Sequence, residues 1–444
     1  MRPPKPAASG RRGSLTRLIR GFRRDLLSAL PGHLYGARMA EFRTPLIHSF
    51  LCNDPALVRL ILKERPQDFP KSDRLREGLA PLLGNSIFVT NGEVWRSQRR
   101  IIDPAFEGGR LRQVFPAIWG AADAAIARLR PGPQDIEPEC SHAAADVIFR
   151  ALFSLPIEHE LAAQVFAAFR EHQQAQPIVN LAALLPMPRW VPRLHSRRTR
   201  RTAQQIRQLI RDLVDSRLLA IREGRAPDDL ATKIMTTPDP ETGLCFDRDQ
   251  MVDQVAIFFL AGHETSASAL AWALWLLAAS PDWQDRVAAE GAALQPDFAA
   301  LAGLKDTQAV FRETLRLYPP VPMMVRQATQ PERFRDRPVP AGAQLVLSPW
   351  HIQRSPRLWD APDDFDPGRW FTDHGRSAAR DGYLPFSAGA RVCPGAGFAM
   401  IEGVVMLARL IAAFRLTPTD DIPVPVARLT VRGEDGIRIR LEPR

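Results

Sequence analysis

Cysteine is scarce in this 444-residue chain: four residues, Cys52, Cys140, Cys245 and Cys393, lie far apart with no CxxC pair. That excludes a disulfide framework and a zinc ribbon and fits a reducing cytoplasm. Lysine is scarcer than the charge suggests. Five lysines stand among 59 basic residues, so the net charge of +10 is carried by arginine. No recognisable nucleic-acid-binding module accompanies it, so nucleic acid is not expected as a partner; an Arg-rich solvated surface, acidic proteins or an anionic membrane surface remain. No continuous apolar segment opens the chain, which excludes a secretory signal. One long apolar run exists, residues 255–279, but His263 and Glu264 fall near its middle. A carboxylate at a bilayer centre costs about 2.5–3.5 kcal/mol, so this run reads as a buried helix of a soluble protein.

Residues 1–13 read as a disordered basic arm. The following SLTRLIRGFRRDLLSAL puts Leu15, Leu18, Ile19, Phe22, Leu26 and Leu30 on one helical face, with Arg17, Arg20, Arg23 and Arg24 mainly off it. Such a helix packs on its own domain or allows peripheral membrane contact. From about residue 54 the periodicity is helical with Pro-rich breaks. Strand-like runs appear at residues 343–349 and near the end, where RLTVR and GIRIRL flank a turn from Gly433 to Gly436. With no repeat and no Gly/Ser-rich linker, the expected organisation is an N-terminal arm over 1–36 and one domain over 37–444. The fold class is mainly α with a small β portion.

The densest chemistry lies in FSAGARVCPGAGFAM, residues 386–400. Pro394 suits a first helical position, and Phe398, Ile401, Val405, Ala408 and Ile411 continue a helical apolar face. Cys393 therefore sits at a helix N-terminus, where backbone N–H groups and the dipole favour a thiolate. Gly395 and Gly397 permit close approach of a flat ligand, Gly389 lets the loop turn, and Arg391 offers a cation two residues away. A dinucleotide fingerprint fails for want of a third glycine and a preceding strand. A nucleophile elbow fails for want of its first glycine, and no local histidine suggests a nucleophilic cysteine.

Phe386, Gly389, Arg391, Cys393 and Gly395 match the loop F-x-x-G-x-R-x-C-x-G, and the chain resembles the cytochrome P450 superfamily, whose thiolate-ligated haem is a known ligation type. The resemblance implies that Cys393 ligates the iron of haem b buried between a long central helix and the cysteine loop and helix. It extends from about residue 40 to the end. ETLR places Glu313 and Arg316 on one helix face and FDPGRW follows in the family's order, implying a buried ion cluster of Glu313, Arg316 and Arg369. WRSQR supplies Trp95 and Arg99, and Arg326 follows YPPVP; with Arg391 these would bind the haem propionates. AGHETS, residues 261–266, matches the oxygen-activation motif rather than HExxH, because residue 267 is alanine. There Glu264 and Thr265 would be the acid and alcohol of a proton relay, and Gly262 would help the helix bend to leave room for O2. Gln353 stands where many members have histidine.

The resemblance is to the soluble bacterial type and implies a monooxygenase using O2 and NAD(P)H electrons delivered by a separate acidic ferredoxin and its reductase; a monomer in the cytoplasm is expected. Alternatives are an H2O2-driven peroxygenase and a non-catalytic gas sensor; the relay residues argue against both. Arg96, Arg100, Arg376 and Arg380 are candidates for the ferredoxin landing surface. Family positions map the pocket to Leu260, Ala261, Val321, Met323 and Met324, with residues 177–192 as an access lid. All five pocket positions are apolar, so a lipophilic substrate is expected, a fatty acid first and a terpenoid second.

Overall fold

Asp247 starts the longest helix among the described residues. Its side chain accepts the Gln250 backbone N–H at 2.8 Å while the Gln250 side chain accepts the Asp247 N–H at 2.9 Å, a reciprocal cap that satisfies two otherwise orphaned donors. From there Arg248–Ala278 runs without interruption through the molecule, buried along most of its length. The computed structural model describes residues 1–7, 25–44, 47–175 and 197–444. The access segment 177–192 and most of the proposed N-terminal amphipathic helix lie outside the described residues. Residues 26–30, at that helix's end, form a turn with Leu26, Leu27 and Leu30 buried.

The architecture is mainly α with a small β portion, as expected. Around the central helix pack Glu137–Phe153, Arg197–Arg222 and the cysteine helix Ala396–Ala413. The cysteine helix also packs on Gly109–Arg128, Pro281–Ala293 and Lys305–Leu317. A Cβ on Gly403 would lie 2.0 Å from the Phe311 ring, so this glycine sets how closely the cysteine helix approaches Lys305–Leu317. Among the described residues Ala396–Ala413 is also the one helix long and apolar enough to cross a membrane, and 56% of that window is buried within the protein.

A four-stranded sheet has the order Met39–Thr44, Ile47–Cys52, Gln344–Leu347, Met324–Gln327, with the middle pair parallel. The strand near residues 343–349 is therefore present. The two C-terminal runs are strands too, but they do not pair with each other. Val431–Gly433 pairs with Pro425–Ala427, and Arg438–Pro443 pairs with Gly132–Asp135 and Phe414–Pro418. The Gly433–Gly436 turn thus carries the chain between two sheets.

Residues 1–7 correct the reading of a disordered arm. The Phe365 N–H donates to the Met1 carbonyl at 2.8 Å, the buried Tyr318 hydroxyl donates to the Pro4 carbonyl at 2.6 Å, and Pro3 and Pro6 are buried. Prolines need no partner for a missing N–H, so this strap docks with little desolvation cost.

Candidate active site

The cysteine loop closes on itself. The Cys393 N–H donates to the Phe386 carbonyl at 2.9 Å, joining the cysteine to the first residue of the motif. Gly389 sits at φ +68°, and a Cβ there would lie 1.9 Å from the Leu62 carbonyl oxygen. Only glycine fits both constraints. The helix begins at Ala396 with Gly395 as its cap, two residues later than the placement of Pro394 at its first position. Burial pushes the Cys393 thiol up, while the Gly395 N–H and the Arg99 cation draw it down. The cation acting on the sulfur is thus Arg99 and not Arg391, a correction to the spacing argument. The desolvation comes from the protein packed around the loop, whereas the residue itself keeps an exposed surface, unlike the buried Cys52 and Cys140.

Arg391 instead lies over the Trp95 ring, 4.4 Å from its centroid, and its Nη1 is buried without a partner. Burial pushes its guanidinium down to about 10, and burial plus the Arg391 field does the same to Arg326. Lys71 joins them. Its N–H3 group donates to the Ile87 carbonyl at 2.6 Å, and burial with the fields of Arg391, Arg326 and Arg99 holds it well below the usual lysine range. Arg99 is held by Asp103 at 2.9 Å and by the Val392 carbonyl at 2.7 Å. Cations that crowd and depress one another, one with a buried unpaired nitrogen, make a site built for an anion. Two carboxylates on one ligand, such as haem propionates, fit it. Lys71 escaped the sequence reading because a lone lysine in FPKSD carries no motif; its bridge pairing to Arg326 was not visible there.

Behind the loop, Glu313 is fully buried and accepts from Arg316 at 2.8 Å through both Nε and Nη2, from Arg369 at 2.9 Å, from Trp370 at 3.2 Å and from the Asp366 N–H at 3.0 Å. Burial would raise its pKa, but the arginines outweigh it and the net shift is down. The remaining guanidinium N–H groups reach carbonyls of Gln353, Pro362, Asp364 and Asp360. Gln353 adds a second tie. Its amide donates to the Leu315 and Arg316 carbonyls, each at 2.9 Å, and its oxygen accepts the Leu384 N–H at 2.7 Å.

On the central helix Ala261 is exposed and Thr265, one turn on, is half-buried, on a stretch whose neighbours are largely buried. The Thr265 hydroxyl donates to the Ala261 carbonyl at 2.5 Å. Gly262 does not break the helix; its missing Cβ makes room for Ile148 of Glu137–Phe153. Glu264 is buried and bound. Arg432 donates to it at 2.7 Å, the Gln173 amide also donates to it, and the Thr430 hydroxyl lies at 3.5 Å. Burial alone would raise its pKa; Arg432, His263 and these hydrogen bonds bring it below the usual carboxylate value. Arg432 lies 168 residues away, so no local motif pointed to it.

Among the mapped pocket positions, Leu260 is buried in the main core, Met323 and Met324 are half-buried and Val321 is exposed. Three of the four landing-surface arginines are paired within the chain: Arg96 with Glu93, Arg100 with Asp239, and Arg376 with Asp373. That lowers the charge they present to a partner.

The Cytochrome P450 family model matches residues 35–439. The chain belongs to the cytochrome P450 family. It is similar to cyclooctat-9-en-7-ol 5-monooxygenase of Streptomyces melanosporofaciens, 33% identical with 89% of this chain and 85% of the relative covered. Cyclooctatin synthase of the same organism is 31% identical, covering 95% and 91%. Among solved structures, CYP175A1 of Thermus thermophilus is 26% identical with a TM-score of 0.74, covering 96% of this chain and 97% of that one. Retinoic-acid-bound cyanobacterial CYP120A1 superposes with a TM-score of 0.79 at 22% identity, covering 91% and 92%, a likeness of fold. As a P450, the protein is a haem-dependent monooxygenase that uses O2. The cation cluster and the accessible Cys393 thiol are chemically suited to that cofactor.

Proposed function

We propose that this P450 oxidises a terpenoid, inserting one oxygen atom of O2, with NAD(P)H electrons reaching it through a separate ferredoxin and reductase. The observation that carries the substrate class is the similarity to two Streptomyces proteins, one of them named for oxidation of the alcohol cyclooctat-9-en-7-ol. It favours terpenoids over the fatty acids that an apolar pocket alone would also admit. Haem, when bound, supplies the iron at which dioxygen is reduced.

The chain's own residues do the rest within residues 37–444, the proposed catalytic domain. Cys393 would hold the iron, and Trp95, Arg99, Arg326, Arg391 and Lys71 would orient the propionates. Glu313, Arg316 and Arg369 stiffen the loop that carries the thiolate. Ala261 supports the pocket assignment by being accessible beside Thr265, with Met323 and Met324 contributing apolar surface. Thr265 presents a hydroxyl on the accessible helix face and fixes where a proton is delivered, while Glu264 takes protons up from the solvent side.

Two measurements test this. A panel of cyclic terpenoid alcohols and long-chain fatty acids, screened by Soret shift and then by turnover with a surrogate ferredoxin, should select the terpenoids. A response confined to fatty acids or to small polar ligands overturns the substrate class. Thr265→Ala should keep its CO spectrum and NADPH use but release H2O2 in place of product; unchanged product per NADPH refutes its role.

A further inference from the structure

The hairpin Pro425–Ala427/Val431–Gly433 reaches the central helix with a charge. We propose that Arg432 is a positioning residue of the oxygenation reaction, holding Glu264 in place as a carboxylate so that it can accept a proton from the solvent side. The inference rests on Glu264 acting as the relay acid.

Geometry supports it from several elements. Arg432 Nη2 donates to Glu264 Oε2 at 2.7 Å and its Nε donates to the Thr430 hydroxyl at 3.3 Å, within reach of the same carboxylate. The Thr430 side chain is buried and Leu429 beside it is 38% exposed, so the hairpin's turn stands between solvent and Glu264. Glu137 on Glu137–Phe153 anchors the hairpin by accepting the Gly433 N–H at 3.0 Å, and its charge also acts on Arg432. Gln173, on Glu160–Ala175, holds the other carboxylate oxygen. The remaining neighbours are weak competitors. His263 Nδ1 is 3.6 Å from Glu264, but burial pushes that imidazole down to about 4, and its Nε2 is engaged by Ser141 at 2.7 Å. Cys140 is held well above the usual thiol range by burial and is neutral. Arg170, on Glu160–Ala175, acts on His263, and on Glu264 it falls behind Arg432 and His263. Among the described residues Arg432 is therefore the cation in direct contact with this acid and the charge that acts on it most strongly.

The consequence follows from burial. A buried carboxylate without its cation protonates, because desolvation disfavours the charged form. A Glu264 that is already protonated cannot take the next proton, so a variant lacking the cation should lose rate as pH falls through the new, higher pKa. Below it the fall is about tenfold per pH unit.

The test uses the holoenzyme and reads Glu264 directly. Infrared difference spectra of Arg432→Gln against wild type at neutral pH should show a protonated carboxyl band that is absent when Glu264→Gln is added. Glu402, pushed up to about 8 by burial, contributes equally to both samples and cancels. The pH profile of NADPH use in Arg432→Gln should gain a rising limb in the neutral range, and Arg432→Lys should restore both readouts. An unchanged carboxyl spectrum, or a Lys variant that behaves like Gln, overturns the inference and leaves Arg432 as a hairpin anchor. Normal NADPH use and product in Glu264→Gln alone would instead overturn the relay reading beneath it, whatever the infrared shows.

Discussion

Gln353→Leu is a near-isosteric change at the joint between the Glu313 helix and the cysteine loop. The Lys305–Leu317 helix ends with carbonyls that have no intrahelical partner, and Gln353 caps two of them, on Leu315 and Arg316, while its oxygen takes the Leu384 N–H two residues before Phe386. Leucine fills the space and satisfies none of the three. An orphaned buried N–H costs about 1–3 kcal/mol and each carbonyl, with a second lone pair to reorganise, about 1 kcal/mol. The sum is about 3–5 kcal/mol. With about 2.1 cal/mol/K of unfolding entropy per residue over 444 residues, each kcal/mol moves the midpoint by about 1 °C, so the melting temperature should fall by about 3–5 °C. Gln353→His, with one donor and one acceptor, should recover about half of that. Calorimetry on the haem-loaded protein, with haem retention followed by absorbance, measures both. A loss under about 1 °C for the leucine variant, or a histidine variant no better than leucine, would show that Gln353 does not tie the helix to the loop.

Reduced protein with CO should show the red-shifted Soret band of thiolate ligation; Cys393→His should lose it, whereas changes at Cys52, Cys140 and Cys245 should leave it intact. Glu402, whose partner is the Ser266 hydroxyl at 2.6 Å, has its folded pKa raised by burial to about 8. Between the ordinary glutamate pKa and about 8 the folded state holds a proton that the unfolded chain has released, so stability should fall as pH rises, by about 1.4 kcal/mol per unit, and level off above. Glu402→Gln should abolish that slope in urea titrations across the range. Deleting residues 1–7 should lower stability by about 1–3 kcal/mol, because it orphans the buried Tyr318 hydroxyl; Tyr318→Phe should recover most of the loss in the truncated chain.

What the sequence made legible was whatever lies close in the chain or follows a family spacing. Gly389 and Cys393 lie within one ten-residue loop, 386–395, and both glycine constraints and the self-closing bond to Phe386 stay within that stretch or its immediate packing. Glu313 and Arg316 share a helix face, and the order of motifs brought Arg369 to them; the observed distances agree. The strands were legible individually, as alternating runs, but their partners were not. Val431–Gly433 and Arg438–Pro443 lie close in sequence yet belong to different sheets, because pairing depends on strands supplied from Pro425–Ala427 and Gly132–Asp135.

Electrostatics was the least legible part, and the reason is general. A charge's state is set by what burial removes and by which opposite charge arrives, and the arriving group has no obligation to be near in sequence. Arg391 is two residues from Cys393, yet Arg99, from another helix, is the cation that acts on the thiol. Lys71 joins the cluster of Arg391, Arg326 and Arg99 from a segment with no motif, and Arg432 reaches Glu264 across 168 residues. The acid that the motif presents as a mobile proton carrier is, in the fold, one half of a buried ion pair. Breaking such a pair strands a charge at a cost of about 3–5 kcal/mol unless the survivor changes protonation state. If Glu264 is the proposed relay acid, that change is the chemistry the relay needs, and the contact that steadies the hairpin would also decide whether the acid is empty or loaded.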